Sequence, residues 1–188
     1  MAGHRFNPEK AEKLLDPKRQ ERIHPNQVIE ALELKESDTI LDLGAGNGYY
    51  TIPLANSTKE KVIAVDIERK MLDLLQERAA QLQVKNITYV ESNLEEIQLD
   101  DNSAEKGLVA FVTHEIPDLD KALSEFRRLI KPGGKLVVLD WEAIEMEQGP
   151  PLNERISSDT MLKILEDNGF ERQLSFSEKG VYLIVVQF

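Results

Sequence analysis

Apolar residues gather in short runs of strand length at Thr39–Leu43, Lys61–Asp66, Ile87–Glu91, Gly107–Val112 and Lys135–Asp140. Between them the apolar spacing changes to that of a helix. Glu68–Leu82 carries Met71, Leu72, Leu75, Ala79 and Leu82 on one face, and Leu119–Ile130 carries Leu119, Ala122, Leu123, Phe126, Leu129 and Ile130. Asp118 stands at the N-cap position of the second helix, and "KPGGK" at 131–135 stops it with a proline and two glycines. Strand and helix in strict alternation predict a parallel sheet covered on both faces.

The last third differs. A polar stretch with a Gly-Pro-Pro break, "WEAIEMEQGPPLNERIS", precedes a helix at Ser158–Asn168 ended by Gly169. Two further strand-like runs, Phe170–Ser177 and Val181–Phe188, are joined only by "EKG", so they form a hairpin and one of them runs against the sheet. Ahead of the first strand lie two short helical candidates, Pro8–Leu15 and Asn26–Leu34. The reading is one domain over 1–188: an amino-terminal helical segment at 1–36, a binding core at 37–141, and a carboxy-terminal helix and hairpin at 142–188.

Composition narrows the chemistry. The 188 residues include no cysteine, which removes disulfides, thiolate metal sites and cysteine nucleophiles. His4 and His24 lack the further clustered ligands that a metal site needs, so no metal is expected. A net charge of -11 repels phosphate backbones, and the chain has no apolar run of bilayer length or leader-like start. A cytoplasmic protein without nucleic-acid or membrane partners is expected.

The strongest local signal is "LDLGAGNGYY". An apolar strand ends in Asp42 and breaks into Gly44, Gly46 and Gly48, a turn that lets backbone approach a ligand closely. A nicotinamide dinucleotide calls for glycines at the first, third and sixth positions, and here the sixth is Tyr49, a bulky aromatic in the helix-packing slot. Asp42 at the mouth would repel a pyrophosphate and suits a ligand with an ammonium group.

With these residues in view, the chain resembles the Rossmann-like, class I S-adenosylmethionine-dependent methyltransferases. "LDLGAGNG" resembles their first motif, "VIAVDIERKML" the second strand with its terminal acid, and "YVESNLEEIQLDDNS" the segment bordering adenine. "AFVTHEIPD" resembles the fourth-strand exit and "LIKPGGKLVVLDW" the next helix, turn and strand. The resemblance runs in register from Asp38 to Trp141, and the amino-terminal segment is similar to that of a subgroup of small bacterial members. It implies an α/β fold with a doubly wound seven-stranded, mostly parallel sheet and an antiparallel last strand, S-adenosylmethionine as cofactor, and a small-molecule acceptor methylated by in-line displacement.

The resemblance also implies roles. Asp66 accepts hydrogen bonds from the ribose hydroxyls, or caps the helix that follows. Gly44, Ala45 and Gly46 border the methionine end, and Asp42 faces its ammonium group. Asn93 stands where the family usually has aspartate; its carbonyl accepts from the adenine amino group. Leu94 offers its amide to the ring, Ile67 packs on the adenine face, and Phe111 supports the methionine end. His114 is the candidate base, or else orients its loop, with Glu115 beside it. Trp141 is a substrate wall or a core anchor, and the amino-terminal segment with Phe6 is a lid or a packing arm. A non-catalytic S-adenosylmethionine-binding sensor or partner subunit shares the cofactor motifs. Arsenite methylation is set aside for want of cysteines, quinone-biosynthesis methylation stays open, and the oligomeric state is left open between monomer and homodimer.

Overall fold

The computed structural model describes residues 23–187. The elements are α1 (Pro25–Leu32), β1 (Ile40–Leu43), α2 (Thr51–Asn56), β2 (Val62–Asp66), α3 (Arg69–Gln81), β3 (Ile87–Glu91), β4 (Ala104–Ala110), α4 (Leu119–Leu129), β5 (Ile130–Trp141), α5 (Ser158–Asp167), β6 (Glu171–Glu178) and β7 (Val181–Gln187). The seven strands form one sheet in the order β3-β2-β1-β4-β5-β7-β6. β1 to β5 pair in parallel, while β7 runs antiparallel to both of its neighbours.

Burial explains the patterns. Every residue of β1 and β2 is buried, because helices cover both faces and leave no side for polar residues. The side-chain period of two splits β7 between the faces. Tyr182, Ile184 and Val186 join Leu41, Leu43, Phe126 and Met161, whereas Val181, Leu183 and Val185 join Ile40, Val28 and Leu32. On that second face α1 packs through Val28 and Leu32. His24 caps α1: its Nδ1 accepts from the Asn26 amide at 3.2 Å, and its own amide donates to Gln27 Oε1 at 2.8 Å.

The expected α/β architecture is present, with two refinements. The antiparallel strand does not lie at the sheet edge. It is inserted between β5 and β6, so the carboxy-terminal hairpin presents its apolar strand, VYLIVV, to the core and its polar strand to the rim. β4 begins three residues before its expected start and ends at Ala110, because Phe111 turns to φ +57°. That turn lifts the following segment away from the sheet and opens the site described next. The helical candidate at Pro8–Leu15 lies outside the described residues.

Candidate active site

A cavity of about 220 Å³ opens at the carboxyl ends of β1, β2, β3 and β4. It sits where a parallel sheet leaves a crevice, since the chain after β1 crosses to one side and the chain after β4 to the other. Of the residues marked in the sequence, Asp42, Gly44, Ala45, Gly46, Asp66, Ile67, Asn93, Leu94 and Phe111 all line it.

The glycine turn is closed by hydrogen bonds. Gly44 and Ala45 amides both donate to the Val65 carbonyl, at 2.8 and 3.0 Å, the Gly48 amide donates to Ala45 at 3.0 Å, and the Gly46 amide donates to Asp66 Oδ2 at 2.7 Å. These amides therefore have no hydrogen left for a phosphate. Each glycine takes a positive φ. A methyl group on Gly48 would come within 2.0 Å of Leu75 Cδ1 on α3, so the close helix contact is made here. Tyr49, expected in that packing slot, lines the cavity instead.

Asp66 ends β2 with one carboxylate oxygen on Gly46 N and the other on Glu68 N at 2.9 Å. Each oxygen keeps a second lone pair for a ligand hydroxyl. Burial pushes its pKa up, and the two amide bonds offset part of that. Asp42 is buried and accepts from the Thr51 hydroxyl. Burial, opposed by the Thr51 bond and reinforced by the charge of Asp66, pushes its carboxyl up to about 7. An arriving cation would favour the ionised form.

Three expectations need correction. The Asn93 carbonyl oxygen accepts from the Glu95 and Glu96 amides at 2.9 and 2.8 Å, so it tightens its own turn, and the amide nitrogen is the group left to face a ligand. His114 does not line the cavity. It is 8% exposed, and its Nδ1 lies 2.8 Å from Asp140 Oδ1. Asp140, itself buried, also accepts from the Thr113 hydroxyl, the His114 amide at 3.3 Å and the Trp141 amide at 2.8 Å. Burial lowers the His114 pKa, but the Asp140 hydrogen bond and the charges of Asp140, Glu115 and Glu154 outweigh it and raise the value above that of an ordinary histidine.

Trp141 does not line the cavity either. It packs against Phe111 with ring centroids 5.3 Å apart, and Gly149 closes on it so tightly that a methyl group there would lie 2.8 Å from the indole. Arg155 stands 5.9 Å from its centroid and donates to the carbonyls of Pro150, Ile144 and Gln148 at 2.8, 2.7 and 2.9 Å. Trp141 thus anchors the loop after β5. Phe6 lies outside the described residues.

Sequence reasoning missed Asp140 and the pocket role of Glu115. The signal for Asp140 was present: like Asp42 and Asp66, it ends or nearly ends an apolar strand. Glu115 lines the cavity, with Oε1 3.7 Å from His114 Nε2. Glu95 also lines it and accepts from the Asp118 amide at 2.8 Å, which ties the β3 exit to the start of α4, whose N-cap is Asp118 as expected. Among the described residues no cluster of His, Asp and Glu could hold a metal, and no helix is long and apolar enough to cross a membrane.

This sheet order, glycine turn and set of strand-end acids define the class I methyltransferase fold. The chain belongs to the ubiE/COQ5 methyltransferase family, whose model matches residues 17–154. A solved structure of a SAM-dependent methyltransferase from Aquifex aeolicus is similar over 97% of this chain and 98% of that one, with 34% identity and a TM-score of 0.91. A ubiquinone/menaquinone biosynthesis C-methyltransferase UbiE of Brucella abortus (strain S19) is 36% identical over 111 residues, 57% of this chain and 41% of that protein. The chain spans about half the length of the curated relatives it matches. The [4+2]-cyclase SpnF, at 14% identity and a TM-score of 0.78 over 86% of this chain and 78% of that one, shares the fold alone.

Proposed function

We propose that this chain binds S-adenosylmethionine in the cavity and transfers its methyl group to a small acceptor that carries no anionic group. The observation that carries the reading is the pairing of a hydrogen-bond-closed glycine turn with Asp66 and Asp42: the site offers acceptors for hydroxyl and ammonium groups and withholds the amides that a pyrophosphate needs. Asp66 would hold the ribose, the Leu94 amide and Ile67 the adenine, and Asp42 the methionine ammonium.

The cofactor supplies an electrophilic methyl on a positively charged sulfur. The chain's task is placement, because a nucleophile held in line can account for about 7–11 kcal/mol of the barrier. Five carboxylates, Asp42, Asp66, Glu68, Glu95 and Glu115, line the cavity, and no lysine, arginine or histidine stands among its described lining residues. That balance disfavours phosphate and carboxylate acceptors and any nucleic acid. Tyr49, Phe111, Ile116 and Pro117 give it apolar walls. The relatives' names support an aromatic, quinol-like acceptor.

Thermal-shift titration tests the cofactor. S-adenosylmethionine and S-adenosylhomocysteine are expected to raise the Tm, with NAD and ATP without effect; equal responses to all four would overturn the reading. Methyl-labelled cofactor offered with a panel of hydroquinones, catechols and carboxylic acids tests the acceptor class, and labelling of the acids alone would contradict it.

A further inference from the structure

The exit of β4 holds an ionisable chain that the cofactor contacts do not use. Asp140, fixed by Thr113, Trp141 and the His114 amide, holds His114 Nδ1 at 2.8 Å. The opposite ring nitrogen, Nε2, lies 3.7 Å from Glu115 Oε1, and Glu115 reaches the cavity while His114 does not. Three of the other lining carboxylates are engaged with protein groups of their own. Asp42 meets Thr51, Asp66 meets two turn amides, and Glu95 holds the α4 cap.

Topology gives the direction. Asp66 at the β2 end marks the ribose side and Asp42 at the β1 end the ammonium side, so the β4 exit, on the far side of β1 from β2, borders the reacting methyl. This step rests on the S-adenosylmethionine reading above.

We propose that Glu115 is the acceptor-facing carboxylate of this site, and that His114, anchored by Asp140, is the positioning residue that holds it there and balances its charge. In this arrangement the histidine orients the glutamate. Glu115 suits an acceptor whose reacting centre carries both a lone pair and a proton, either a neutral hydroxyl or a neutral amine. The acceptor atom forms its bond to the methyl carbon, the methyl-sulfur bond breaks with its electron pair staying on sulfur, and the acceptor's proton passes to a Glu115 oxygen. His114 Nε2, 3.7 Å away, holds that carboxylate before the reaction, and Asp140, Glu115 and Glu154 all favour the charged ring that would hold it more firmly.

The experiment needs no identified acceptor. Sinefungin replaces the methyl-bearing sulfur by a carbon bearing an ammonium group, which therefore projects where the methyl would point. Calorimetry compares it with S-adenosylhomocysteine, which has nothing there. Wild type is expected to prefer sinefungin, and Glu115→Gln to weaken sinefungin about tenfold while leaving S-adenosylhomocysteine unchanged. Equal weakening of both ligands, or of neither, overturns the assignment. Failure of both to bind wild type defeats instead the cofactor reading on which it rests. The positioning role is read by nitrogen NMR of the His114 ring. The ring is expected to titrate above an ordinary histidine in wild type, with the midpoint falling in Glu115→Gln. An unshifted midpoint overturns the coupling.

Discussion

The two halves of the carboxyl edge are built differently. On the β1–β2 side each acid is fixed by groups near it in the chain or by the turn itself: Asp42 by Thr51, Asp66 by Glu68 and Gly46. On the β4–β5 side the central contact joins His114 to Asp140 across 26 residues, and the loop beyond is held by Arg155 through carbonyls and Trp141. The first half is a glycine turn whose backbone amides close onto the end of β2. The second is an assembly of side chains that exists only when β4 and β5 are paired. Binding can therefore be specified by a short stretch of sequence, whereas the acceptor side is free to change with each substitution at a strand end.

The largest expected effect breaks the second half. Asp140→Ala leaves the buried His114 ring and the Thr113 hydroxyl without their partner, and should lower unfolding free energy by about 3–5 kcal/mol in urea denaturation. A smaller loss would show that the assembly is solvated and not integral to the core. Gly48→Ala attacks the first half through packing and backbone strain. Contact with Leu75 and the positive φ together should cost about 2–4 kcal/mol of stability, with any rescue by Leu75→Ala locating the clash.

Asp66→Ala should weaken S-adenosylmethionine by about 1.5–3 kcal/mol in calorimetry, the range for hydrogen bonds to a charged group. If S-adenosylmethionine affinity is unchanged, Asp66 merely staples Gly46 to Glu68.

The pH dependence follows from Asp42, whose pKa stands at about 7 in the free protein. An ammonium ligand needs the ionised form, so affinity should fall as pH drops below about 7, approaching tenfold per unit for one proton. For folding alone the sign is opposite. A raised carboxyl pKa gives stability that is complete below the unfolded value of about 4 and is lost as pH rises through about 7, so ligand should restore most Tm at the alkaline end of that window. Asp42→Asn should flatten both profiles. The smallest effect is expected from Asn93→Asp. One oxygen would keep the Glu95 and Glu96 amides while the other faces the adenine amino group, tightening the cofactor by under about 1 kcal/mol.

Legibility followed the same division. The glycine turn, the strand-end acids and the helix cap at Asp118 could be read because their physics is local: a positive φ, an apolar run and a short side-chain oxygen. The burial of His114 could not. A histidine at a strand exit has the same sequence signature whether it faces ligand or core, and only the position of Asp140 on the adjacent strand decides between them. For Trp141 the choice between substrate wall and core anchor was likewise closed to sequence, because its neighbours Phe111, Gly149 and Arg155 come from three separate segments.

By itself the sequence determined the five parallel strands, the helices α3, α4 and α5, the hairpin at the end and the acids of the β1–β2 edge, since periodicity and turn residues act over a few positions; that α2 follows the glycine turn and that no helix separates β3 from β4 were not legible in it. The tertiary structure alone decided that β7 inserts between β5 and β6, that Phe111 ends β4, and that Glu115 rather than His114 meets the cavity. Those outcomes depend on which buried partner each residue finds. A carboxylate or imidazole taken from water is stable only beside a complementary group, and for His114 that group, Asp140, lies on β5.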